Sequence, residues 1–483
     1  MIRFSIILNI LGLLQVFIGI FMLMPAGIAL YYGGGDAPAL FISAAISIGL
    51  GLAAFFLTRK HLTDDIRPKE GFAIVAFGWI ASALLGALPF YLSGAIPSPI
   101  DCVFETVSGY TTTGASILSN IEALPKGILF WRSLTHWLGG MGIILLSLAI
   151  LPILGIGGMQ LYKAEVPGPT SDKLSPRVRE TAKRLWYIYF AFTIIEIALL
   201  YFGGMDLFDS ACHTFGTMAT GGFSTQNGSI GQYNSAYFDY IIVVFMAIAG
   251  TNFALHYKAI TGDVKVYFRD EEFKFFMGLM LVVITIITID IVLTSDTGLA
   301  RGIRDSVFQT FSIGTTTGYG TADYEKWSSV SQFLLFMLMF IGGCAGSTGG
   351  GMKIVRIMLL LKYGIAELKK MIHPDAVIPV RFNNNSVSQD VVTKILGFFL
   401  LFIMIFVLST IIMTMMGLDL LTALGSVAAS LGNIGPGLGD VGPTDNYANI
   451  PVAGKILLSF LMLIGRLEVF TILVIFHPSF WKR

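Results

Sequence analysis

Thr316-Thr317-Gly318-Tyr319-Gly320 has three counterparts in the same chain: Thr112-Thr113-Gly114-Ala115-Ser116, Thr220-Gly221-Gly222-Phe223-Ser224 and Asn433-Ile434-Gly435-Pro436-Gly437. The aligned glycines Gly114, Gly222, Gly318 and Gly435 are 108, 96 and 117 residues apart. Each turn closes a segment of mixed character (101–119, 206–225, 304–321 and 419–439). Each segment opens with about 10 to 12 helix-compatible residues, too few to cross a bilayer. A long apolar run stands on either side, so the unit reads helix, half-helix, turn, helix. Glycine is common here, at 54 of 483 residues, and one Thr-Thr-Gly would mean nothing. Four such turns in register with the hydropathy pattern point to an internal repeat.

Outward from the turns, composition settles the class. Hydrophobic residues make up 55% of the chain and charged residues 13%, against about 25% charged in soluble domains. Runs 4–32, 41–57, 72–92, 186–202, 240–255, 275–293 and 396–416 can each cross about 30 Å of hydrocarbon as a helix. Runs 131–154, 333–361 and 456–476 are comparable, though glycines interrupt them, giving ten expected spans. The first run is too long for a signal h-region and lacks a small-residue cleavage site, so it reads as a retained helix. The expected fold is an all-α integral membrane protein. An N-terminal hairpin (1–66) precedes four repeats at 67–165, 166–262, 263–372 and 373–483 around one pore.

Lys and Arg gather in alternate loops, at Arg59, Lys60, Arg67 and Lys69, at 163–184, at 258–274, at 353–381 and at Lys482 with Arg483. Asp and Glu gather in the others. The basic side is expected in the cytoplasm with both termini, a plasma-membrane (bacterial inner-membrane) topology. A net charge of +1 gives no footing for nucleic acid. Cys102, Cys212 and Cys344 lie far apart, with no CxxC and no Cys/His pairing at zinc spacing, against a disulfide framework or metal site.

The turns suit a cation. Non-helical backbone survives at membrane depth only where protein buries it or water reaches it. A dehydrating cation needs oxygens in place of its water shell, and backbone carbonyls provide them without a trapping charge. Aligning successive carbonyls requires residues at φ > 0, which glycine adopts cheaply. Half-helices would aim C-terminal ends, with about half a negative charge, at the ion. Four turns in one chain can close a ring without a second subunit.

These residues resemble the Trk/Ktr/HKT superfamily of potassium-uptake proteins, specifically the bacterial TrkH type, over essentially the whole chain. Besides the turns, the resemblance rests on Trp-Leu-Gly-Gly-Met-Gly at 137–142, Pro-Ile-Leu-Gly-Ile-Gly-Gly-Met-Gln-Leu-Tyr at 152–162, Gly-Gly-Cys-Ala-Gly-Ser-Thr-Gly-Gly-Gly-Met-Lys at 342–353 and Gly-Arg-Leu-Glu at 465–468. It implies a potassium filter made by Thr112, Thr113, Gly114, Thr220, Gly221, Gly222, Thr316, Thr317, Gly318, Asn433, Ile434 and Gly435. K+ would be bound there as cargo, with no covalent cofactor. Gly221 stands where other turns have Thr, and the fourth turn has Asn433-Ile434, so this ring by itself is expected to select modestly.

Segment 342–351 carries six glycines in ten positions within the inner run of the third repeat. At about 1 kcal/mol per Gly relative to Ala, it is not expected to stay helical. The resemblance implies a gating loop there, at Gly346, Ser347, Thr348, Gly349 and Gly350; a close helix crossing through small residues is the alternative. Arg466, deep in the last span, must face protein or water. The resemblance places it below the filter as a barrier to cations, the alternative being an ion pair, for instance with Glu196. Glu468, two residues on, belongs on another face. Arg132 and His136 read as interfacial belt residues beside Trp131 and Trp137, as does Asp290. His213 and His256 read as pH sensors or as ordinary hydrogen-bonded histidines.

The resemblance further implies a homodimer in the lipid bilayer, docked on a ring of cytosolic RCK-type nucleotide-binding subunits. The basic inner surface and the connector 353–389 are the expected contact, and the positive-inside rule explains Lys369, Lys370 and Arg381 equally well. A coupled secondary transporter, moving potassium with protons or sodium, is the first rival. A membrane enzyme is the second; it lacks clustered titratable residues at one depth.

Overall fold

The computed structural model describes residues 2–59, 67–142, 178–295 and 297–482. Motif 152–162, the inner end of run 131–154, the expected boundaries near 66 and 165, and part of the basic loops lie outside the described residues. Among the described residues, six helices are long and apolar enough to cross a membrane: Phe4–Tyr31, Ala37–Thr58, Lys69–Leu92, Lys183–Phe202, Glu271–Thr294 and Gln389–Met415. Two bent pairs raise this to eight, Ala236–Ala249 with Phe253–Ile260 at 100° and Val452–Leu467 with Val469–Phe476 at 116°. Run 333–361 is not one continuous helix: it divides into Ser329–Leu338 and Ile354–Ile372 around the glycine-rich segment.

A long helix, a short helix and an inner helix follow one another four times. The short members are Pro99–Tyr110, Leu207–Met218, Leu299–Gly314 and Leu420–Gly432. Their starts are set by caps that satisfy N–H groups left unpaired at a helix N-terminus. Ser98 accepts from the Asp101 N–H, Asp206 from Phe208, and Asp419 from Leu421 and Thr422. The third starts at Leu299, five residues before the Arg304 expected from sequence, and Gly298 gives it no side-chain cap. Ahead of the repeats, Phe4–Tyr31 and Ala37–Thr58 cross where Gly12 and Gly51 face each other. A Cβ on either would lie 2.6 or 2.5 Å from the other's carbonyl oxygen.

An outer collar of polar contacts, outer by the orientation expected from sequence, joins consecutive units of this series. Arg132 of the first donates to the Ser224 carbonyl of the second (2.9 Å), and Arg304 of the third pairs with Asp239 of the second (2.5 Å). Tyr324 and Glu325 of the third bond the Gly437 carbonyl and Gly439 N–H of the fourth, at 2.7 and 2.6 Å. Lys455 of the fourth pairs with Asp101 of the first at 2.7 Å. Burial pushes the Glu325 carboxyl above its usual range, with Asp323, Asp445 and Asp440 adding to the rise and the Gly439 N–H opposing it.

Candidate functional site: a ring of four turns above a glycine loop

Each short helix ends in one backbone pattern. Thr112, Thr220, Thr316 and Asn433 take φ of 52°, 54°, 63° and 54°; two residues on, Gly114, Gly222, Gly318 and Gly435 take 82°, 79°, 82° and 96°. The N–H after each left-handed Thr or Asn reaches back to the carbonyl five residues earlier: Thr113 to Ser108, Gly221 to Gly216, Thr317 to Ser312 and Ile434 to Ala429. This is a Schellman closure with a non-glycine residue in the left-handed position. Three of the four are β-branched, for which that conformation is a genuine outlier costing about 1–3 kcal/mol. All twelve sequence-nominated turn residues are in this constellation, and its Thr, Ile and Asn members have no solvent exposure.

The turns close on one another in chain order. A Cβ on Gly114 would lie 2.1 Å from the Gly221 carbonyl oxygen, one on Gly222 2.1 Å from that of Thr317, and one on Gly318 1.9 Å from that of Ile434. One on Gly435 would lie 2.7 Å from the Thr113 carbonyl oxygen, which completes the circle. Four carbonyls of equivalent position therefore each abut the glycine of the preceding turn.

Side chains differ around the ring for reasons visible nearby. Thr111 and Thr113 share a hydroxyl hydrogen bond of 2.8 Å, and so do Thr315 and Thr317. The second turn cannot carry this pair, because a Cβ on Gly221 would lie 2.6 Å from the His136 ring. In the fourth, the Asn433 side-chain amide donates to the Thr113 hydroxyl (3.0 Å) and the Met462 carbonyl (2.8 Å).

His136 and Arg132 are therefore not belt residues, as the sequence suggested. His136 bonds the Gly109 carbonyl at 2.7 Å and stacks on Phe223. Arg132, 2% exposed, pairs with fully buried Glu105 at 2.7 Å and lies over the same Phe223 ring. Glu105 also accepts from Ser116 Oγ and the Ile117 N–H, the backbone leaving the first turn. His213 bonds the Asp209 carbonyl and Ser224 Oγ, and His256 bonds Tyr267 and the Ile248 carbonyl. Asp290 accepts from Ser328 and Ser331.

Segment 342–351 is irregular, as its glycine density implied, and it lies directly against the turns. The Gly350 N–H donates to Thr316 Oγ1 at 2.7 Å, and a Cβ on Gly350 would lie 2.6 Å from Asn433 Cβ. Thr348 Oγ1 bonds the Met218 carbonyl at the end of the second half-helix (3.0 Å). Gly349 accepts from buried Lys353. Gly346 and Ser347 are elsewhere, facing the break of the second repeat: the Gly346 carbonyl accepts from the Phe253 N–H, and Ser347 bonds Cys344.

Arg466 joins the loop to the first repeat. It donates to the Thr348 carbonyl at 2.6 Å and to the Gly139 and Gly140 carbonyls at 2.6 and 2.9 Å. The suggested ion pair with Glu196 is not formed. Glu468 takes φ 62° at the 116° bend and pairs with Arg356 at 2.5 Å. Two features had escaped the sequence reading. One is the 100° break at 250–252, whose signal was Asn252 as cap of Phe253–Ile260. The other is the Glu105–Arg132–Phe223 brace, which joins residues distant in sequence.

A family described as cation transport protein, TrkH, matches residues 36–483. The chain belongs to the TrkH family. The Trk system potassium uptake protein TrkH of Halomonas elongata is 43% identical over 99% of both chains, and that of Escherichia coli K12 is 42% identical over 100% of both. The crystal structure of the potassium transporter TrkH from Vibrio parahaemolyticus superposes with a TM-score of 0.90, at 38% identity and full coverage of both chains. Family and apolar helices together make this a multi-pass membrane protein. That the matched family is one of cation transport supports the expectation that the chain is not an enzyme.

Proposed function

We propose that this protein takes up potassium across the plasma membrane through one pore built by a single chain, with the four-turn ring as filter. The supporting observation is the closed ring itself. Four backbones with left-handed residues at the same two positions meet glycine to carbonyl in cyclic order. Strain repeated at equivalent sites marks function more often than accident. The carbonyls replace the ion's hydration shell, and the half-helix C-termini lend partial negative charge. K+ is the cargo bound at Thr112 to Gly114, Thr220 to Gly222, Thr316 to Gly318 and Asn433 to Gly435.

Gly346 to Gly350 form the gate and Arg466 its latch to the first repeat. The guanidinium places a fixed positive charge beneath the ring, which raises the barrier to a cation. Ten spans with both termini cytoplasmic, four tandem repeats, a homodimer and a cytosolic RCK-type regulatory ring complete the reading. The basic connector 353–389 receives the regulator.

Purified protein in vesicles with defined potassium, sodium and proton gradients tests this. Rubidium or potassium flux that ignores the other gradients is expected. Flux that requires a proton or sodium gradient would favour the coupled transporter, and no monovalent cation flux would end the proposal.

A further inference from the structure

The glycine loop needs something to hold it, because six glycines give it little rigidity of its own. Besides its contacts with the turns, backbone bonds hold it at the break of the second repeat, from the Cys344 N–H to the Gly250 carbonyl at 2.8 Å and from the Phe253 N–H to the Gly346 carbonyl at 3.0 Å. Its two ends also converge on one side chain. Glu272 lies in the first turn of Glu271–Thr294 and is 4% exposed. Its Oε1 accepts from the Ala345 N–H at 2.7 Å, on the entry side of the loop. The same oxygen accepts from the Val355 N–H at 3.1 Å, on the exit side.

Val355 is the second residue of Ile354–Ile372, and Lys353, in the capping position of that helix, makes no side-chain cap bond. The carboxylate of another helix therefore caps it, where a negative charge is also favoured by the helix dipole. Backbone bonds also join the ends, from the Gly342 N–H to the Met352 carbonyl at 2.9 Å and from the Ile354 N–H to the Gly343 carbonyl at 3.2 Å.

The start of the Glu272 helix is itself fastened to the cytoplasmic connector. Asp270 accepts from the Asn383 amide at 2.9 Å, and Asn383 accepts from the Glu271 N–H at 2.9 Å. Glu271 pairs with Lys362 at 2.5 Å, and Lys362 also donates to the Arg381 carbonyl. A force on the connector thus reaches Glu272 through directly bonded neighbours.

We propose that Glu272 is the positioning residue of the loop: one carboxylate oxygen clasps both ends and keeps 345–355 pressed on the third and fourth turns, where it blocks the path. This rests on the pore reading above. Opening requires the Ala345 and Val355 N–H groups to leave that oxygen, and motion of the connector can withdraw it.

The test uses full-length protein in vesicles, with Glu272→Ala, Glu272→Gln and Glu272→Asp beside Asp263→Asn. Asp263 is exposed, pairs only loosely with Arg269 at 3.3 Å and touches no part of the loop. Amide hydrogen exchange at 344–355 and rubidium influx are both read. Glu272→Ala is expected to speed exchange of the Ala345 and Val355 amides about tenfold, with the outer collar unchanged, and to raise basal influx several-fold. Gln keeps an acceptor oxygen and is expected to be intermediate; Asp is too short to clasp both ends and should resemble Ala. Asp263→Asn is expected to match the unaltered protein. Unchanged exchange in Glu272→Ala would overturn the clasp while leaving the pore reading intact. Faster exchange with unchanged or lower influx would overturn the claim that the clasped loop blocks. Absence of rubidium influx in the unaltered protein would instead refute the pore reading.

Discussion

Replacing Gly318 by Ala is the sharpest probe of the ring, because its cost separates into a shared and a local part. All four ring glycines have φ between 79° and 96°, so each alanine substitution carries the same conformational penalty of about 1–2 kcal/mol. The local part differs. At Gly318 the new Cβ would sit 1.9 Å from the Ile434 carbonyl oxygen and 2.8 Å from Pro436 Cδ. Ordinary contact begins near 3.4 Å, so that carbonyl must retreat by about 1.5 Å. At Gly435 the contact is 2.7 Å, and a retreat of about 0.7 Å suffices. Displacing a precisely placed group by about 1 Å can cost on the order of 100-fold in function. Gly318→Ala should therefore reduce rubidium influx into vesicles at least about tenfold and weaken preference for potassium over sodium. Gly435→Ala should do both to a lesser degree. Gly278→Ala, in a long helix where the added methyl meets nothing within 4 Å, is the control for handling and should conduct normally. Wild-type influx and preference in Gly318→Ala, or greater damage from Gly435→Ala, would refute the carbonyl-ring geometry.

Three further outcomes follow from the same contacts. Gly221→Ala should lower both flux and melting temperature, since its Cβ strikes the His136 ring; adding His136→Ala should relieve the clash, so a double-mutant cycle should give a coupling of about 1 kcal/mol or more. Glu105→Ala should cost about 3 kcal/mol in detergent unfolding, because it strands buried Arg132, whereas Glu105→Ala with Arg132→Met should cost less than the single change. The raised Glu325 carboxyl means that the folded state binds its proton more tightly than the unfolded chain does, so stability is lost as pH rises from about 4.5 through the folded value. Melting curves across that range should show the slope in the unaltered protein and a flatter profile in Glu325→Gln.

Turns, half-helices and the glycine loop were legible because their signals are local. Gly and Thr crowd into short segments between apolar runs, and six glycines in ten residues cannot be mistaken for a regular helix. What escaped notice depends on partners far along the chain. The run 240–255 is apolar but for Thr251 and Asn252, and its 100° break shows only in the capping tendency of Asn252. The bend at Glu468 is fastened by Arg356, 112 residues earlier. Arg132 and His136 lie at the right spacing for a membrane boundary; only Glu105, Phe223 and Gly221 reveal them as buried braces. Left-handed threonines leave almost no trace in sequence, because threonine disfavours that conformation. Asn433, which tolerates it, was the one hint.

Equivalence of backbone and inequality of side chain answer different demands. Each turn must present its carbonyl beside the preceding glycine, and the same two left-handed positions achieve this four times. How each turn is kept there depends on its neighbour. Hydroxyl pairs brace the first and third, the His136 ring abuts the second, and the Asn433 amide ties the fourth to the first. The loop touches turn residues at the third and fourth turns, through the Gly350 N–H on Thr316 and through close approach to Asn433, and meets the second short helix at the Met218 carbonyl through Thr348. A loop that swings away leaves the Thr316 hydroxyl without that donor and frees space beside Asn433. Ring and loop are then coupled by direct contact, so a change in loop position also changes the bracing of the third and fourth turns. Selectivity measured with the loop displaced should differ from selectivity with it in place, and the difference should originate at Thr316 and Asn433 rather than at Thr112 or Thr220.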